Sequence, residues 1–91
     1  MDDGASSELV IIARAVKTRG LKGEIVAELL TDFPERFEDV DELVLVSPSG
    51  ERTLKRLEDY WFQNDRVVVK ILGYDDVDAA KELVGVEFAV P

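Results

Sequence analysis

Along this chain apolar and polar residues alternate over short stretches, and turn residues separate the stretches, the two-residue period of strands with one face buried. The first stretch, Leu9 to Lys17, is rich in β-branched residues and carries apolar side chains on both faces until Arg14, as a central strand covered on two sides reads. Two glycines, Gly20 and Gly23, supply the positive φ angles of a tight connection after Thr18. Glu24 to Leu30 then alternates, with Ile25, Ala27 and Leu29 on one face, and is expected to pair with the first strand.

Thr31 to Phe37 breaks the alternation: Thr31 or Asp32 can cap and Pro34 can take a first helical position, which predicts a single helical turn flanked by Phe33 and Phe37. Leu43 to Val46 is a short strand running into the turn cluster Ser47-Pro48-Ser49-Gly50. Glu51 to Gln63 is ambiguous, because Leu54, Leu57 and Trp61 fit a helical stripe as well as a bulged strand; the hairpin signal before it favours a strand. Arg66 to Leu72 puts Val67, Val69 and Ile71 on one face and Arg66, Val68 and Lys70 on the other. Asp75 to Leu83 has helical spacing of Val77, Ala80, Leu83 and Val84 behind an Asp75 or Asp76 cap, with Gly85 as its stop and Val86 to Val90 as a last strand. The expected fold is all-β: a small barrel of six short antiparallel strands with one short α-helix. Residues 1–8 form an expected disordered tail and residues 9–90 the domain.

With 91 residues, there is room for one core. The chain holds 11 basic and 20 acidic side chains, a net charge of −9, which disfavours general attraction to polyphosphate. It has no cysteine and no histidine, which removes disulfides, thiolate or imidazole zinc sites and the Ser/His and Cys/His nucleophilic pairs. No apolar run reaches the roughly 18 residues of a membrane span, and the absence of cysteine agrees with a reducing cytoplasm. No carboxylate pair, nucleotide-binding loop or calcium loop stands out, so neither an enzyme nor a cofactor is expected.

The charge is unevenly placed. Arg14, Lys17, Arg19 and Lys22 are the cations between Leu9 and Gly23, with no anion among them. Around Gly20, Leu21 and Gly23 they could present cationic tips and backbone amides to an RNA backbone, or they could be a solvated hairpin end. The RNA reading requires that these cations stand together and are not tied up by carboxylates. From Asp32 to Glu42 the sign reverses, and the segment Asp32, Phe33, Pro34, Glu35, Arg36 and Phe37 could meet a basic protein or be a solvated loop. Tyr60, Trp61 and Phe62 could stack on bases or contact a protein, or could belong to the core.

Three segments together carry a resemblance: Arg19-Gly20-Leu21-Lys22-Gly23-Glu24, then Leu30 to Phe37 reading Leu-Thr-Asp-Phe-Pro-Glu-Arg-Phe, then Asp75 to Gly85. In this order they resemble the N-terminal domain of the ribosome maturation factor RimM. The resemblance implies a six-stranded barrel similar to the second domain of translational GTPases, no catalysis and no cofactor. It also implies a monomer acting in late maturation of the small ribosomal subunit and its 16S rRNA. The implied partners are small-subunit ribosomal protein nineteen and the 16S rRNA of the subunit head, without membrane or small-molecule substrate. A further half, a PRC-type barrel, is expected beyond Pro91. The competing expectation is an acidic protein-interaction module that touches no RNA.

Overall fold

The computed structural model describes residues 9–91; the expected tail over 1–8 lies outside the described residues. The strands are β1 (Val10–Arg19), β2 (Glu24–Leu29), β3 (Glu42–Val46), β4 (Arg52–Gln63), β5 (Arg66–Ile71) and β6 (Glu87–Val90), with a 3-10 turn at Pro34–Asp39 and one helix, α1 (Val77–Lys81). All ladders are antiparallel, in the order β1-β2-β5-β4-β3-β6, and β6 pairs back onto β1, so the sheet closes on itself.

The expectation of a barrel of six short strands is corrected in its build. β1 runs 10 residues and β4 runs 12, and both are bent by register shifts, β1 between Ile11 and Ala13 and again between Ala15 and Lys17, β4 between Leu57 and Asp59. Each shift places an extra residue opposite one partner, which coils the strand and lets it serve two neighbours at different angles. The structure is therefore two long ribbons, β1–β2 and β4–β5, joined side by side along β2–β5, while β3 and β6 meet over only three residue pairs. β1 is not covered on both faces as expected: Arg14, Lys17 and Arg19 are exposed. β4 is a strand throughout, which resolves the ambiguity of Glu51 to Gln63.

The core is apolar side chains alone, with Ile12, Ile25, Phe37, Leu43, Val67, Val69, Ile71 and Phe88 fully buried. Val67, Val69 and Ile71 point inward as the alternation predicts. The helix is shorter than its apolar spacing implied. Asp76 accepts a hydrogen bond from the Ala79 N–H at 2.8 Å and caps the helix. Beyond Lys81 the N–H groups of Glu82 and Leu83 reach back only three residues, to Ala79 and Ala80, so the chain tightens and leaves Val84 exposed.

Lys70 ties this end together. Its ammonium donates to Asp75 Oδ1 at 2.8 Å, to Glu58 Oε1 at 3.0 Å and to the Ile71 carbonyl at 3.1 Å, linking β5, β4 and the loop before α1. Burial alone would push its pKa down, but the hydrogen bonds to Asp75 and Glu58 outweigh it and hold the ammonium above the ordinary lysine value. The raised value means that the stabilisation is complete below the ordinary lysine pKa and is lost as pH rises through the folded one. Lys70→Met is expected to cost about 1 kcal/mol at neutral pH. In urea unfolding, the gap between wild type and variant should close in strongly alkaline buffer.

Candidate functional site

The β1–β2 hairpin ends in the turn Gly20-Leu21-Lys22-Gly23. Gly20 and Gly23 have φ of 68° and 94°, in the left-handed region that favours glycine. Gly23 also lies against the backbone of Tyr74, where a Cβ would come within 1.9 Å of the carbonyl oxygen. Its role is thus to let the hairpin pack on the loop before α1. Leu21 stands out at 80% exposure beside the exposed Lys22.

The four cations do not form one free cluster. Arg14 is ion-paired with Glu28, its cross-strand neighbour, and Arg19 with Glu24 at 3.1 Å, also its cross-strand neighbour. Lys17 and Lys22 have no ion-pair partner among the described residues. The expectation of a free fourfold positive end is corrected accordingly: the hairpin brings Glu24 and Glu28, remote in sequence from Arg14, onto the same face. Exposed pairs of this kind contribute little stability but lower the local field.

The acidic segment also divides. Phe37 is fully buried in the core, its ring 5.5 Å from Tyr60 and 6.1 Å from Phe62, and has no surface for a partner. Phe33 is 55% exposed with the Arg36 guanidinium 5.9 Å over its ring, while Asp32 and Glu35 are exposed and Pro34 half-buried. The Thr31 hydroxyl accepts from the Phe33 N–H at 3.0 Å, turning the chain but capping no helix. The 3-10 turn brings Glu38 and Asp39 toward Tyr60, whose pKa is raised by burial and by these two carboxylates.

A further feature joins two hairpins. Lys17, Thr18, Arg19 and Val26 face Gln63, Asn64, Asp65 and Arg66 across an open cleft of about 440 Å³. Its floor lies on the outer face of the sheet, where the register sets Lys17, Val26, Val68 and Trp61 in one cross-strand row. Val26 and Val68 are buried but stand apart from the core cluster. Trp61, half-buried, and the Arg19 guanidinium, 5.7 Å from its ring centroid, border this row. Sequence reasoning passed over Arg66 and its nearness to Lys17; the Asn64-Asp65 turn, with Asn64 at φ 58°, marks the hairpin that carries it here. Among the described residues no cluster of acidic side chains could hold a metal, and no helix is long and apolar enough to cross a membrane.

Comparison with known proteins places this geometry. Residues 10–91 match the family model described as the RimM N-terminal domain. Ribosome maturation factor RimM of Koribacter versatilis is 41% identical over 86 residues, covering 94% of this chain and 41% of that protein. The RimM of Bifidobacterium longum strain NCC 2705 is 44% identical over 87 residues, covering 94% and 42%. The chain thus spans less than half the length of these relatives. A crystal structure of a 16S ribosomal RNA processing protein RimM from Pseudomonas aeruginosa superposes with a TM-score of 0.82 at 26% identity, covering 92% of this chain and 51% of that one. The solution structure of the N-terminal domain of RimM from Thermus thermophilus gives 0.69 at 25% identity, covering 92% and 89%. With nearly every described residue inside that match, the chain belongs to the RimM N-terminal domain family.

Proposed function

We propose that this domain serves, without catalysis, in late maturation of the small ribosomal subunit in the cytoplasm, and that it contacts 16S rRNA and a ribosomal protein of the subunit head through its first hairpin. Membership of the RimM N-terminal domain family supports the assembly role. The observation that carries the contact is the hairpin end itself, where the exposed Leu21 stands beside the exposed Lys22, and where Lys22 and Lys17, farther back on β1, have no ion-pair partner among the described residues. An apolar tip between cations suits a mixed protein and RNA surface better than RNA alone. The acidic remainder limits retention on rRNA, because charges beyond about 8 Å are largely screened at physiological salt while the hairpin end acts at contact distance.

Lys17→Glu combined with Lys22→Glu is expected to weaken association with immature small subunits at least tenfold and to lower the slope of log K against log salt by about 2. Sedimentation of the labelled domain with purified immature subunits over a salt titration measures both. Binding unchanged across that titration removes the hairpin from the interface. The pairing of Arg14 and Arg19 favours a second reading, a purely protein-binding hairpin; it predicts that Leu21→Ser weakens binding while the double lysine reversal leaves the salt slope as it was.

A further inference from the structure

We propose that the cleft between the β1–β2 and β4–β5 hairpins binds one unpaired nucleotide of a single-stranded RNA, with its phosphate between Lys17 and Arg66 and its base against Trp61 and the Arg19 guanidinium. The inference deepens the functional reading above and rests on it for the nature of the partner; it concerns the cleft beside the hairpin tip, with which it shares Lys17 but not Leu21, Lys22 or Arg66.

The lining and the cross-strand row that runs from it to Trp61 together have the parts this ligand needs. The lining holds three cations, Lys17, Arg19 and Arg66, and one carboxylate, Asp65, while Glu24 is paired with Arg19 and Glu28, which pairs with Arg14, stands opposite Arg66 in the adjoining ladder. Arg19 is partly neutralised by Glu24, whereas Lys17 and Arg66 have no ion-pair partner among the described residues. A phosphate is therefore best held by the latter two. Arg19 serves instead as a plane, its guanidinium already 5.7 Å from the Trp61 ring centroid.

Trp61 lies on the outer face, in the row that leads through Val68 and Val26 to Lys17, so a base set on this row meets apolar floor and aromatic ring together. Thr18, Gln63 and Asn64 supply neutral donors and acceptors around it, and Asp65 can accept from a base amino group or a ribose hydroxyl. A volume of about 440 Å³ suits a single nucleotide unit and is open enough for a strand to enter and leave. A duplex keeps its bases stacked inside and offers none to such a cleft. An acidic peptide would satisfy the cations but would leave the aromatic ledge unused.

Trp61 is the only tryptophan of the chain, so its fluorescence reports directly on this surface. The test titrates the domain with a seven-nucleotide unstructured RNA, with the same sequence annealed as a duplex, and with a polyglutamate peptide of equal charge. Saturable quenching or a spectral shift by the single strand, with the duplex and peptide at least tenfold weaker, is the expected result. Lys17→Gln and Arg66→Gln, both at exposed positions and both keeping the fluorophore, should each raise the apparent Kd five- to tenfold. No response to the single strand, an equal response to the duplex or peptide, or wild-type affinity in both variants overturns the proposal. Subunit association that persists in Arg66→Gln and falls with Leu21→Ser would leave the assembly role standing while the cleft, if silent to RNA, is discarded. Loss of neither response to those substitutions would remove both surfaces.

Discussion

Gly23→Ala is expected to destabilise the domain by about 3 kcal/mol or more, the combined cost of a left-handed backbone for a residue with a Cβ and of overpacking against rigid neighbours. The added carbon would sit 1.9 Å from the Tyr74 carbonyl oxygen, 2.7 Å from its carbonyl carbon and 3.2 Å from the Asp75 Cα, all backbone atoms. None of them can swing aside as a side-chain tip could. Either the hairpin must lift or the Tyr74 loop must move, and that loop delivers Asp75 to Lys70. Gly20→Ala is the matched control, with φ of 68° and open space around the new carbon, and should cost only about 1 kcal/mol. Urea denaturation of both variants measures the difference. Equal losses would mean that backbone conformation alone, and not the seat against Tyr74, explains Gly23.

The contrast between the two glycines shows what could and could not be read from the chain. Both were legible as turn residues, because a positive φ is a local requirement. The approach of Tyr74 to one of them was not, because it depends on α1 and its preceding loop returning to the β1–β2 end, a contact across about fifty residues of sequence. Strand identity followed from alternation wherever one face was apolar, as in β2 and β5. In β4 the helical and extended stripes coincided at Leu54, Leu57 and Trp61, and only pairing with both β3 and β5 decides the matter. The helix stops short of its apolar spacing for a similar reason: Leu83 and Val84 fit that spacing, yet the three-residue hydrogen bonds after Lys81 end the helix and leave Val84 outside.

The cations illustrate the same limit at the site. Counting along the sequence isolates Arg14, Lys17, Arg19 and Lys22 from any anion, but a hairpin folds the next ten residues back over them. Glu24 then faces Arg19 and Glu28 faces Arg14, while the shift between Ala15 and Lys17 sets Lys17 opposite the apolar Val26. Without that bulge Lys17 would fall opposite Ile25, on the inward face; with it, Lys17 stays on the outer face and lines the cleft with Arg66. Charge patterning in a β protein is a property of ladder rows, and the rows are fixed by register.

Phe37→Ala is expected to cost about 3–5 kcal/mol, the range for removing a large buried aromatic side chain. The ring is fully buried and packs at centroid distances of 5.5 Å on Tyr60 and 6.1 Å on Phe62, so its loss opens a cavity beneath the 3-10 turn. Phe33→Ala, at a ring 55% exposed, should change stability by less than about 0.5 kcal/mol. Two residues that look alike in the sequence motif thus part company: Phe37 holds the acidic turn on the sheet, and Phe33 is the ring that turn displays. The titration of Tyr60 distinguishes a cavity from detachment of the turn. Its phenol is held above the ordinary tyrosine value by burial and by Glu38 and Asp39, which reach it only while the turn is seated. If Phe37→Ala releases the turn, the Tyr60 pKa followed by NMR should fall toward that ordinary value; if the turn stays and only a void forms, it should remain raised. A stable Phe37→Ala variant with an unmoved Tyr60 would show that the acidic turn is held by other contacts, and the anchoring role given to Phe37 would be wrong.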